Sequence, residues 1–214
     1  MINDLIQYPL RGSGKYIIFI GAIIYIMFSF ISYIPFLGIA FSVISTGFFA
    51  AYFFDIINST ATGKNEPCDF PDIRDFWADI FMPCICMVSA IMFSYGPYFL
   101  SGFLGIEDSL LNNILLVLGS IHFPMAVLNV AISQNALAAF WPYTIKSIRR
   151  CPLQYAVFLI ILMLIGIINI ILDKILHQIP IIGWFTIFLL LMYSLMLQGR
   201  MLGLFYRENQ DKLY

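Results

Sequence analysis

Residues 153–172 read LQYAVFLIILMLIGIINIIL, 20 positions without one charged side chain. The hydrocarbon core of a bilayer is about 30 Å thick, so a helix crossing it needs roughly 20 mostly apolar residues. A helix apolar on every face belongs in lipid or deep inside a large core. Working outward from this stretch, five more segments have the same character. The predicted spans are 16–34, 36–57, 80–104, 110–132, 153–172 and 181–204. None alternates strictly between apolar and polar side chains, so helices are expected rather than barrel strands. The expected fold class is all-α: an integral membrane six-helix bundle, forming a single transmembrane domain over residues 1–214.

The composition agrees with this reading. Of 214 residues, 61% are hydrophobic and 11% are charged, whereas a soluble domain carries about 25% charged residues. A soluble fold of this size has too little interior to hide so much apolar side chain. A cleaved signal peptide is not expected, because the first apolar stretch is too long and no small-x-small site follows it.

The charges give a direction. Arg11 and Lys15 precede the first span, Lys64 and Arg74 follow the second, and Lys146, Arg149 and Arg150 follow the fourth. Arg200, Arg207 and Lys212 close the chain, and only Lys174 falls on the opposite side. An excess of Lys and Arg marks the cytoplasmic face. Both termini are therefore expected in the cytoplasm, with the protein in the plasma membrane. The outer connections are short, at Pro35, at Glu107-Asp108 and at 173–180, which excludes a receptor ectodomain.

Two hairpins resemble each other. Ile34-Pro35-Phe36-Leu37-Gly38 joins spans one and two, and Ile179-Pro180-Ile181-Ile182-Gly183 joins spans five and six. Hairpins 9–58 and 152–203 could thus form a parallel repeat, a device found in transporter folds, although two tight turns can match by chance. Pro97 and Pro124 interrupt spans three and four. Each is expected to kink its helix and to free a backbone carbonyl that needs another partner. Two amphipathic segments, 70–80 and 140–150, are expected to lie as helices in the headgroup plane. In the first, Phe70, Ile73, Phe76, Trp77 and Ile80 share a stripe, with Asp72, Asp75 and Asp79 away from it.

Three groups of residues are candidates for function. Asp55 and Arg200 lie near the cytoplasmic ends of spans two and six, where a buried ion pair would tie the two hairpins together. Snorkelling to the interface is the simpler alternative. Gly199 and Gly203 form a G-x-x-x-G that permits close helix contact. His122, Asn129 and Ser133 fall on one face of span four with Ala126 and Ala136. They would line a polar pathway or, more simply, join helices by hydrogen bonds. Lys146, Arg149 and Arg150, with Trp141, form a basic patch for lipid headgroups, worth about 1 kcal/mol per cation near an anionic surface. The same patch could instead dock on the acidic stretch 59–79.

Other chemistries are missing from the sequence. Gly12-Ser13-Gly14-Lys15 lacks the leading glycine and the Ser/Thr of a phosphate-binding loop. There is no H-E-x-x-H and no C-x-x-C, so no metal site is expected. Cys84 and Cys86, two residues apart on a helix, point to different faces and suit apolar packing. Cys151, beside the basic patch, is a candidate for palmitoylation. The cations are too few and too dispersed for nucleic acid.

The run from Ile34 to Gly38, then Gly47, 57–63, Phe70-Pro71-Asp72 and Asp79, resembles an uncharacterised bacterial and archaeal multi-span membrane family. That family is classed as a domain of unknown function and is distantly similar to Yip-type proteins. Phe140-Trp141-Pro142-Tyr143, Ile148-Arg149-Arg150 and Arg200-Met201-Leu202-Gly203 with Tyr206-Arg207 fit its pattern as well. Phe48-Phe49 departs from it, where a tyrosine is expected. The resemblance implies an integral membrane protein and supplies no catalytic residue. The function expected is a non-enzymatic organiser or scaffold for lipid or partner proteins, with a small transporter or channel as the alternative. Membrane lipids are the expected partners, other membrane proteins or a second copy are further candidates, and no cofactor is expected.

Overall fold

The computed structural model describes residues 2–31, 33–34, 36–106, 108–179 and 182–213. Both central prolines of the paired outer turns, Pro35 and Pro180, together with Ile181 and Glu107, lie outside the described residues. Among the described residues eight α-helices follow one another: α1 (Ile2–Gln7), α2 (Gly14–Ile31), α3 (Leu37–Ala61), α4 (Met82–Phe103), α5 (Ser109–Ser133), α6 (Trp141–Arg150), α7 (Pro152–Leu176) and α8 (Ile182–Leu213). Six of them, α2 to α5, α7 and α8, are long and apolar enough to cross a membrane. The expectation of an all-α, six-span bundle holds, and the protein is a multi-pass membrane protein.

α3 is the central strut. It packs on α8 on one side and on α4 on the other, and α4 pairs closely with α5. Glycines set the α3–α8 distance. A side chain on Gly199 would strike Ile56, and one on Gly203 would strike Thr60 and the Ile57 carbonyl. The G-x-x-x-G therefore works as expected, by letting two backbones approach. One apolar core joins α2, α3 and α8 through Ile17, Ile18, Tyr52, Ile56, Met192 and Met196. A second joins α4, α5, α7 and α8 around Ala90, Met125, Leu128, Tyr155 and Met201.

Pro97 and Pro124 sit inside α4 and α5. Proline at 97 cannot donate to the carbonyl of residue 93. The Trp141 indole N–H donates to the Phe93 oxygen instead, at 2.5 Å. Near Pro124, the Tyr155 hydroxyl donates to the Ile121 oxygen at 2.5 Å. Both bonds bring a partner from another element to the carbonyls around a proline. In the two matching outer turns, Gly38 N–H donates to the Ile34 oxygen at 2.7 Å and Gly183 N–H to the Ile179 oxygen at 3.1 Å.

The segment 70–80 departs from expectation. Only its far end is helical, as a π-helical turn Trp77–Phe81 that leads directly into α4. Two contacts account for this. The Phe70 ring turns inward between Phe48 and Tyr52, with centroids 5.4 and 4.9 Å away. The Asp79 carboxylate accepts the N–H groups of Arg74 and Asp75, both at 2.9 Å, and so starts the helix late. The second amphipathic segment does form a helix, α6. A short helix not foreseen from the sequence, α1, precedes a 3-10 turn Tyr8–Leu10.

Candidate functional site

The site grows from the end of α5. Gln134 adopts the left-handed conformation (φ 51°) that stops the helix. Asn135 follows and caps a 3-10 turn Ala136–Ala139, its side-chain oxygen accepting from Leu137 N–H at 3.0 Å. Pro142 then suits the first turn of α6. α6 presents Thr144 to the interior, with the Thr144 hydroxyl donating to the Ala139 oxygen at 3.3 Å. Lys146, Arg149 and Arg150 lie on its exposed side.

Between these elements lies a cavity of about 570 Å³, lined by Asn129, Ser133, Asn135, Lys146, Ser147 and Arg150 among others. Two groups that the sequence kept apart, the lower half of the span-four stripe and the basic patch, thus share one wall. Arg150 Nη1 donates to the Leu213 oxygen at 2.6 Å, at the end of α8. A cation there complements the negative end of a helix. The Ser133 and Ser147 hydroxyls donate within their own helices, to the Asn129 oxygen at 2.7 Å and the Tyr143 oxygen at 3.2 Å. The donors the groove offers to an oxyanion are therefore the ammonium, guanidinium and amide groups of Lys146, Arg150, Asn129 and Asn135.

The remaining predicted residues lie elsewhere. His122 is 2% exposed, hydrogen-bonded through Nδ1 to the Ser94 hydroxyl at 2.8 Å, and Nε2 has no partner among the described residues. Its ring stacks on Trp141 with centroids 4.3 Å apart. Trp141 therefore points into the bundle, away from the cations that share its helix. Arg149 does not line the groove. Cys151 is 1% exposed, and burial raises its thiol pKa, so it is placed as a packing residue rather than a surface thiol.

Asp55 and Arg200 do not meet. The Gly199–Gly203 face of α8 turns Arg200 toward Thr60, whereas Asp55 sits on the Gly47–Ala51 side of α3. There Asp55 lines a separate cavity of about 370 Å³ with Asn58 and Asp79. Arg200, 1% exposed, is the centre of a polar knot. It donates to the Lys64 carbonyl, to Asn65 Oδ1 at 3.0 Å and to Thr60 Oγ1 at 3.4 Å. The Tyr8 ring lies 4.7 Å from the guanidinium and the Asp4 carboxylate 3.7 Å away. Asp4 also pairs with Arg11 at 2.6 Å. Within the acidic stretch, Asp72 pairs with Arg74 of its own segment at 2.6 Å.

Sequence reasoning missed Asn135 and Ser147 in the groove, the Asp4–Tyr8 partners of Arg200, and a polar trio within the spans, Asn169, Ser194 and Gln198. The last had a visible signal: Asn169 interrupts the most apolar run of the chain. No protein-family model, curated protein or solved structure matches the chain.

Proposed function

We propose that this multi-span protein is a non-enzymatic membrane organiser that gathers anionic lipid headgroups at the groove between α5 and α6. The observation that carries the reading is the convergence of Lys146 and Arg150 with Asn129, Ser133 and Asn135 on one open cavity. The distribution of Lys and Arg supports a cytoplasmic position for that groove and for both termini. The resemblance to the multi-span family of unknown function fits the same reading. Other membrane proteins, or a second copy of the chain, would be recruited through the lipid so held.

A transport pathway along span four is less well supported. His122 is closed over by Trp141 and Ser94, while Asn129 and Ser133 open on the groove, so the stripe serves two separate environments. Native mass spectrometry of the protein after mixing with phosphatidylglycerol and phosphatidylcholine tests the proposal. Retention of phosphatidylglycerol is expected to fall about fivefold with Lys146→Gln or Arg150→Gln, from about 1 kcal/mol per cation. Equal retention of the two lipids, or no change in the variants, removes the reading. Orientation is tested separately, by protease access to tags on the two ends.

A further inference from the structure

The trio Asn169, Ser194 and Gln198 lines a cavity of about 460 Å³ bounded by α2, α3, α4, α5, α7 and α8. At 1.5 Å per residue, Asn169 lies about 10 Å from the end of α7 and Gln198 about 24 Å from the start of α8. Both positions lie inside helices long and apolar enough to cross a membrane. The Asn169 amide donates to Ser194 Oγ at 2.7 Å and the Gln198 amide to the same oxygen at 3.1 Å. Ser194 is 5% exposed. A hydroxyl oxygen that accepts two bonds has its lone pairs filled and keeps its proton to give. Among the described residues, neither amide oxygen accepts a bond, and each amide keeps a second N–H. Unmet hydrogen-bonding capacity is costly in lipid.

The rest of the lining is apolar and aromatic, with Phe49, Phe53, Phe123 and Met192, and Ser45 and Thr46 on the α3 side. No Asp, Glu, Lys, Arg or His borders it, so a charged guest would be buried without a counter-ion. Volume, apolar walls and a few convergent polar groups suit a small ligand. Asn169 and Leu191 also border a second cavity, of about 280 Å³, that runs between α7 and α8 to Asp173 and Lys174. Asn169 and Leu191 thus stand in the wall that the two spaces share.

We propose that the Asn169–Ser194–Gln198 cavity binds a neutral amphiphile, a hydroxyl head on a hydrocarbon body. The head donates to an amide oxygen and accepts from a spare amide N–H or from Ser194, and the body lies against Phe49, Phe53 and Met192. This site is independent of the headgroup groove, which faces the aqueous boundary and is cationic.

The test uses the full chain in phosphatidylcholine nanodiscs and a diazirine-bearing long-chain alcohol as photoprobe. Crosslinks are expected in peptides covering 45–53 and 191–198, saturable and competed by hexadecan-1-ol but not by hexadecane. Asn169→Leu and Gln198→Leu are each expected to weaken competition about fivefold, the loss of one net hydrogen bond. Thermal unfolding of each variant checks that it folds, and the alcohol-against-alkane comparison in the unaltered protein stands without any variant. Labelling spread over lipid-facing positions such as Ile160 and Ile168, or equal competition by the alkane, overturns the proposal.

Discussion

Arg200 shows what one side chain can organise. Its donors satisfy a carbonyl and an amide of the 62–66 connection, and Tyr8 and Asp4 close over it from the start of the chain. Hydrogen bonds to a charged group contribute about 1.5–3 kcal/mol each. Arg200→Met is expected to lower stability by about 2–3 kcal/mol in detergent unfolding and to speed proteolysis between 62 and 70, and unchanged cleavage would remove the knot as a structural element. Asp4 adds a pH dependence. Its hydrogen bond to Arg11, with the nearby cations, lowers its carboxyl pKa below the ordinary 3.8. The stabilisation is therefore complete above 3.8 and fades as pH falls through the lower folded value. The effect is small, since Asp4 is 41% exposed. Amide protection across residues 2–10, relative to the intrinsic exchange rate at each pH, should fall in acid, and should do so less steeply in Asp4→Asn. Cys68 behaves in the opposite sense: burial, helped by the Asp55 charge, pushes its thiol up to about 11. Alkylation of Cys68 is expected to be slow at neutral pH and to accelerate toward pH 11 rather than 9.

At the scale of elements, α6 is fastened to the bundle by Trp141, whose indole N–H fills the gap that Pro97 leaves in α4. Trp141→Phe keeps an aromatic face for His122 and loses only that bond, so a cost of about 1 kcal/mol is expected. Pro97→Ala returns a backbone N–H to the Phe93 carbonyl, and the double variant should cost less than the sum of the two. Strict additivity would show that the bond contributes nothing. Which elements were legible follows from the same physics. Span length and the Gly199–Gly203 contact are local signals, carried by the residues themselves. The helix expected over 70–80 had the right periodicity, yet Phe70 gains more from the Phe48–Tyr52 pocket than from a headgroup surface, and Asp79 fixes the start of α4. The candidate site was half legible: Lys146, Arg150, Asn129 and Ser133 were readable as two patterns, but their meeting depends on the turn at Gln134. Arg200's partners were not legible, because Asp4 and Asn65 are far away in sequence and belong to no periodic pattern.

The whole molecule has a firm side and a loose one. α3 and α8 form the axis, and α7 touches little besides α8. Only 17% of the α7 span is buried, against 56% for α5. When a single molecule is pulled or titrated with denaturing detergent, α7 is expected to separate before α4 and α5, and a cysteine at Ile160 should report the change earlier than Cys86. Simultaneous release of all spans would contradict this ordering.

The tie between the two ends of the chain has a consequence for biosynthesis. Tyr193 on the last helix donates to the Ile6 carbonyl at 2.7 Å across 187 residues, and Arg200 holds Asp4 and Tyr8 in the same neighbourhood. The docking of Ile2–Gln7 against α8 therefore waits until α8 is made, although Tyr8 also packs with Ile17, Tyr52 and Ile56 of α2 and α3. Contacts of such long sequence separation form late. Nascent chains halted before α8 should leave Ile2–Gln7 without these partners and more open to trimming than in the assembled bundle.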